Sequence, residues 1–386
     1  MTTEKLYYQD PLLKTFTTEV LSCTETENGY EVTLSATAFY PEGGGQSCDI
    51  GSLGNAQVLD VRERGEEIVH LCDKALTPGE TVTGAIDWER RLDQMQQHAG
   101  EHILSGIMHK LYGCHNTGFH VGAEVVQVDF DCIVPPGMIP KIEEMANAAI
   151  YENIPIKCWY PSQEELPTVR YRTKRELPWP VRIVEIPGYD SCACCGVHTA
   201  TTGQIGVIKI LSCTKFHQGV RMETVCGKRA FSYLSRVFDE NKQICREFSA
   251  KPLETADAAR RVNEALAAEK YRSTALTCRL FDRIAEDYVN QENAIRFETD
   301  LTPGEVRELA DRIAAKCTGW AAVLSGSDDT GYSVCIIGKD NAANALGKAL
   351  TSQFRGRGGG KPGSFQGSVP ATRAEIEDFF GKLTDF

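Results

Sequence analysis

The stretch QQHAGEHILSG, Gln96 to Gly106, sets His98 and His102 four positions apart at the head of an apolar run. Residues four apart lie one above the other on a helix. A helix over residues 94–111 therefore aims both imidazoles the same way and leaves Ile103, Leu104 and Ile107 for packing. That is half of a metal site, and the other ligands must come from elsewhere in the chain.

They are found about ninety residues downstream, in CACCGVHTATTGQIG. Cys194 and His198 are also four apart, with Gly196 placed for a tight turn between them. Two histidines from a helix with a cysteine and a histidine from a loop make a four-ligand set of the donor types Zn²⁺ prefers. Cys192 and Cys195 compete for the thiolate role. Spacing does not exclude them, nor His70, His109, His115, His120 or His217.

The chain around this set is 386 residues long, which predicts two or three domains. Hydrophobic residues make up 42% and charged residues 24%, both ordinary for a globular protein. The start, MTTEKLYYQDPLLKTF, has no basic segment followed by an apolar one, and no window is apolar enough to span a bilayer. Fifteen irregularly spaced cysteines in such a chain predict reduced thiols and a cytoplasmic location. The net charge of −12 argues against a broad nucleic-acid coat but leaves room for local basic patches. One is VRYRTKR, with Arg170, Arg172, Lys174 and Arg175. The other is residues 341–374, with Lys348, Arg355, Arg357, Lys361 and Arg373 and no acidic residue.

Residues 1–90 read as strands broken by Gly43 to Gly45, Gly51 and Gly54, and residues 91–228 as a mixed α/β segment holding the ligands. Residues 229–290 read as a helical connector, perturbed near Ser249 to Pro252. Val262, Leu266, Leu276 and Leu280 there suggest a seam that Glu269 and Ser273 interrupt. Residues 291–386 read as a small α/β unit. Thr302 and Pro303 open a helix, and RGRGGGKPGSFQGS is expected to be a glycine-rich loop. The loop lacks the spacing of a phosphate-binding P-loop, because Arg355 stands five before Gly360 and Pro362 follows Lys361. Backbone amides flanked by Arg355, Arg357 and Lys361 suit a sugar-phosphate backbone better.

Taken together, these residues resemble the editing domain of alanyl-tRNA synthetases and the freestanding AlaX proteins, in the long form. FYPEGGGQSCDIG, the histidine helix, NTGFHVGAEVVQVDFD, CCGVH, GVRMETVCG and RGRGGGKPGSFQGS occur in the family's order over nearly the whole chain. The resemblance implies a multidomain α+β protein with a β-barrel-like first subdomain. An editing domain of the threonyl/alanyl-tRNA synthetase second-additional-domain type follows, then a connector and a DHH-associated glycine-rich domain. It implies one Zn²⁺ held by His98, His102, Cys194 and His198, and a substrate pocket with Gln46, Gly43, Gly44, Gly45, Glu101, Ala99 and Val197. Arg221, Arg355, Arg357, Gly358, Gly359, Gly360 and Lys361 fall where the family docks tRNA, and self-association through the connector or the last domain is compatible with it. Ala99-Gly100, Cys195 and Val197 depart from residues common in the family, which bears on amino-acid preference. The expected activity is hydrolysis of serine or glycine from mischarged tRNA for alanine.

Two other readings fit parts of the sequence. HAGEH matches the HxxEH pattern of zinc metalloproteases, with Glu101 as general base, though these need a distant carboxylate ligand instead of a CxxxH pair. A non-catalytic RNA-binding protein with a structural zinc also fits.

Overall fold

The protein is described here from a computed structural model, covering residues 2–173, 177–339 and 342–382. Lys174 and Arg175 of the first basic patch, Asn341 at the head of one expected helix and Leu383 at the end of another lie outside the described residues. The chain divides into two compact units, Met1–Gln243 and Ile244–Phe386.

In the first unit, six strands form a closed hydrogen-bonded circuit. They are β1 (Thr15–Thr26), β2 (Gly29–Leu34), β3 (Gly51–Leu53), β4 (Ala56–Arg64), β5 (Glu67–Cys72) and β6 (Thr81–Ile86), joined in the order β1-β2-β5-β4-β3-β6. Period-two patterning drives this. In β1, Phe16, Thr18 and Val20 are buried while Thr15, Thr17 and Glu19 face water, as a half-buried strand requires. Val20, Val32, Leu34, Leu53, Val58 and Ile68 fill the interior.

The histidine helix α1 follows (Trp88–Tyr112). It starts before the apolar run because Asp87 caps it, its side chain accepting the Arg90 amide at 3.1 Å. It stops where Gly113 turns left-handed, at φ 65°. Against it lie β7 (Asn116–Val121), β8 (Val126–Phe130), helix α2 (Ile139–Tyr151) and a small antiparallel sheet of β9 (Lys157–Trp159), β10 (Ile183–Ile186) and β11 (Asp190–Ala193). Strands β12 (Ile208–Phe216) and β13 (Gly219–Cys226) complete an antiparallel sheet of order β12-β13-β8-β7. Ile103, Leu104 and Ile107 join its core with Val128, Ile142, Ala146 and Met222.

Two buried contacts tie α1 to its surroundings, one to the loop before β3 of the circuit and one to the end of β13. The Arg91 guanidinium, fully buried, pairs with Asp49 and donates to the Pro11 carbonyl at 2.8 Å. Asp49 in turn accepts the Tyr40 amide at 2.5 Å. Gln97 clasps Cys226 at the end of β13, accepting its amide at 2.8 Å and donating to its carbonyl at 3.0 Å.

Helix α3 (Gly227–Glu247) comes next, and in the second unit α4 (Thr255–Glu286) follows a break where Ser249 takes φ 49°. Val262, Leu266, Leu276 and Leu280 remain about half exposed on α4. The rest of that unit is β14 (Ala294–Glu298), α5 (Pro303–Ala314), β15 (Trp320–Ser327), β16 (Gly331–Gly338), α6 (Ala342–Gln353), β17 (Arg357–Lys361), β18 (Ser364–Val369) and α7 (Arg373–Gly381). Thr302 and Glu305 form a reciprocal capping box on α5. The five-stranded sheet has the order β14-β15-β16-β18-β17.

The glycine-rich loop expected at residues 355–368 is instead a hairpin. Gly358, Gly359 and Gly360 lie in the edge strand β17, opposite Gly367, Gln366 and Phe365 of β18, and the chain reverses at Pro362-Gly363, with Gly363 at φ 81°. Small residues are required there by close approach. A Cβ on Gly360 would sit 1.9 Å from the Ser364 carbonyl oxygen, and one on Gly358 2.5 Å from the Phe365 ring.

Candidate metal centre

Helix α1 and the loop after β11 bring His98, His102, Cys194 and His198 together, with their ligand atoms all within 4.8 Å of one another. The three histidines are 2% exposed. Cys194 Sγ lies 3.4 Å from His98 Nε2 and 3.8 Å from His198 Nε2. A tetrahedral zinc with ordinary Zn–S and Zn–N bonds sets sulfur and nitrogen about 3.6 Å apart, so this spacing fits one ion. His102 Nε2 is buried with no hydrogen-bond partner among the described residues, an omission that a bound metal explains.

Each helix imidazole is fixed by a second residue. His98 Nδ1 is 2.9 Å from the Gln46 side-chain oxygen, which also accepts the Val197 amide at 3.3 Å. An amide N–H only donates, so the Gln46 atom between them is the oxygen, and the proton sits on His98 Nδ1. His102 Nδ1 lies 2.8 Å from Asp190 Oδ2, and Arg172 clamps that carboxylate through Nε at 2.7 Å and Nη2 at 2.8 Å. In both rings Nε2 is thus the nitrogen turned to the cluster, the one a metal would take in place of a proton.

Charge follows the geometry. Burial pushes the Cys194 thiol up, but the imidazoles of His98 and His198 pull harder, and its pKa lies well below the ordinary thiol value. Burial lowers the pKa of His198 to about 3, so its ring is neutral at pH 7. Burial works against protonating His102 as well, yet the hydrogen bond to Asp190 overcomes it and holds that pKa well above the usual value.

The CxxxH segment is braced from behind. Arg182 Nη1 donates to the carbonyls of Cys194 at 2.9 Å and Gly196 at 2.8 Å. The turn expected at Gly196 needs no left-handed backbone, since Gly196 is not among the positive-φ glycines. What it needs is space: a Cβ there would meet His98 Cε1 at 2.2 Å.

The remaining sequence candidates scatter in role. The Gly43 amide is engaged by the Gln46 carbonyl at 3.1 Å, while Gly44 and Gly45 are exposed beside Cys195 and Phe119. Ala99 is buried in the core under α1, and Val197 packs with Tyr7, Tyr40 and Met95. Glu101 accepts at Oε1 from Ser105 and, at 2.5 Å, from Asn116. Cys195 is exposed, its carbonyl held by Tyr8 at 2.8 Å. Cys192 groups with His102 and Asp190. His70 is buried between Thr37 and Val32, far in role from a ligand. Arg221 makes a two-point pair with Asp129 and stacks 3.8 Å over Phe216. Arg172 leaves the basic patch to serve Asp190. Asp190 was missed because no motif marks it; its only signal is a carboxylate four residues before Cys194.

Three family models match the chain: tRNA synthetases class II (A) over residues 2–90, the threonyl and alanyl tRNA synthetase second additional domain over 181–222, and the DHHA1 domain over 288–386. Among curated proteins, the chain is 32% identical over 273 residues to the alanyl-tRNA editing protein AlaX-L of Pyrococcus horikoshii, covering 68% of this chain and 67% of that one. It is 27% identical over 393 residues to the alanyl-tRNA editing protein Aarsd1 of Danio rerio, covering 96% and 95%. It is 35% identical over 263 residues to an alanine–tRNA ligase of Ignicoccus hospitalis, covering 65% of this chain and 29% of the ligase.

Proposed function

The chain belongs to the alanyl-tRNA editing protein family, and from that premise we propose that it is a trans-editing hydrolase. Its substrate is tRNA for alanine mischarged with serine, with the glycyl ester as a second substrate, and its products are the free amino acid and free tRNA. The observation that carries this reading is the His98-His102-Cys194-His198 cluster, with its three histidines buried and Cys194 half-buried, which lies against the GGGQ segment through the Gln46–His98 hydrogen bond.

These four side chains would hold one Zn²⁺. When bound, the ion supplies Lewis acidity and a fixed point for orienting the aminoacyl ester or the terminal ribose. With four protein ligands, orientation is the role that fits without loss of a ligand.

The protein's own groups do the rest. Gln46 spends its oxygen on His98 and Val197, and its Nε2 is buried with no partner among the described residues. That N–H is available to a substrate oxygen. A site with a buried donor set for a hydroxyl or ester oxygen discriminates, because the wrong substrate leaves it unpaired. The exposed Gly44 and Gly45 let backbone approach the ester closely. In the second unit, Arg355, Arg357 and Lys361 line or flank the hairpin edge and suit phosphates of the tRNA. No helix among the described residues is long and apolar enough to cross a membrane.

The test is loss of ester from seryl- and alanyl-tRNA for alanine with purified protein, beside Cys194→Ala. Rapid hydrolysis of the seryl ester alone, abolished in the variant, is expected. A folded, zinc-loaded protein that binds tRNA and spares the seryl and glycyl esters would instead have a structural zinc and a binding role.

A further inference from the structure

We propose that Asp190, clamped by Arg172, is a positioning residue for the metal centre: it orients His102 and sets how tightly the ion is held. The inference rests on the reading of the four-donor cluster as a metal site.

Three observations support it. Of the three cluster histidines, Asp190 reaches the one whose Nε2 has no hydrogen-bond partner among the described residues, and it does so from β11, a different element from α1 that carries the ring. Its carboxylate is 1% exposed, so its charge is not screened by water. Finally, both oxygens are fixed. Oδ1 takes Arg172 Nε and Oδ2 is shared between Arg172 Nη2 and His102 Nδ1. A lone carboxylate at this depth would carry a large desolvation cost, and the bidentate guanidinium offsets it while leaving the direction toward His102 open.

The consequences are chemical. A carboxylate can only accept, so Nδ1 of His102 must donate and Nε2 must face the cluster. A partly neutralised carboxylate also raises the basicity of the ring as a ligand, as the outer partners of metal-bound histidines do. His98 has a neutral amide in the same place, Gln46. The two helix ligands are therefore unequal donors, with His102 the stronger.

A purely structural role is the competing account, in which the Asp190–Arg172 pair only fastens the segment before β10 to β11. The two differ in a readout that ignores activity. Zinc affinity of the folded full-length chain is measured by competition with a chromogenic chelator, and Co²⁺ absorption reports tetrahedral geometry. Unfolding of the metal-free protein is followed separately.

Asp190→Ala is expected to weaken zinc binding by about 10–100-fold and to alter the Co²⁺ spectrum. Asp190→Asn keeps an oxygen that can accept from His102 but loses the charge, so its affinity should fall between that of Asp190→Ala and wild type. This variant also serves if the alanine variant does not fold. Affinity within about twofold of wild type for a folded Asp190 variant, whatever its stability, overturns the proposal. If the wild-type chain binds neither zinc nor cobalt, the metal-centre reading itself falls, and this inference falls with it.

Discussion

Gln46 and His98, 52 positions apart in sequence, share a 2.9 Å hydrogen bond in which the glutamine oxygen accepts and the imidazole Nδ1 donates. The residue next to the glycine run therefore braces a histidine of the candidate metal centre, in addition to the substrate contact proposed for it.

Removing that acceptor frees the ring to rotate or change tautomer. Gln46→Ala is expected to weaken zinc binding about 10-fold or more and to slow seryl-tRNA hydrolysis further, since the Nε2 donor is lost too. Gln46→Glu keeps the acceptor but not the donor. It should retain zinc while still losing activity, and zinc stoichiometry measured beside the deacylation rate separates the two effects.

Gly196→Ala tests close packing directly. Its Cβ would fall 2.2 Å from His98 Cε1 and 2.4 Å from Nδ1, so ring or loop must move. Zinc content per folded chain is expected to drop well below one and deacylation by at least about 10-fold. Full zinc occupancy in this variant would contradict the packing described.

His70 gives the first unit an acid-sensitive point. Burial lowers its folded pKa to about 4 from an ordinary 6.5. The unfolded chain then binds more protons between those values, so stability is full above about pH 6.5 and declines as pH falls toward 4. Between pH 7 and 5 this amounts to about 2 kcal/mol. Replacing His70 with Gln should flatten that part of the profile, read from denaturant midpoints at each pH. An unchanged slope would assign the loss to other groups.

For the second unit, Arg357→Ala combined with Lys361→Ala should weaken tRNA binding and lower the slope of log K against log salt by about 0.7–0.9 per lost phosphate contact. Hydrolysis at saturating tRNA should hardly change. An unaltered salt slope would remove these side chains from the tRNA interface.

Much of this was legible in the sequence, and the misses have physical causes. The histidine helix and the Thr302 cap were readable because their signals are local: i, i+4 spacing, and a polar residue before a proline. The 355–368 hairpin was not, because glycine carries no hydrophobic alternation. What makes RGGGK a strand is its ladder with SFQGSV, a pairing that propensity does not report. The candidate ligands announced themselves by their spacing. Their supports, Gln46 and Asp190, lie 52 and 88 positions from the rings they orient, and only the folded chain makes them neighbours.

The buried Arg91–Asp49 pair has a bearing on how this protein can be divided. A cut between residues 90 and 91 follows the change from strands to helix, yet it parts a buried guanidinium from the carboxylate it pairs with. A fragment beginning at residue 91 would lose Asp49 and the Pro11 and Ala38 carbonyls that hold Arg91, and one ending at residue 90 would lose the guanidinium that holds Asp49. The strand circuit and the histidine helix should thus be inherited, expressed and lost as one piece, and modular swaps between relatives should succeed at residues 243–254 before they succeed at 90.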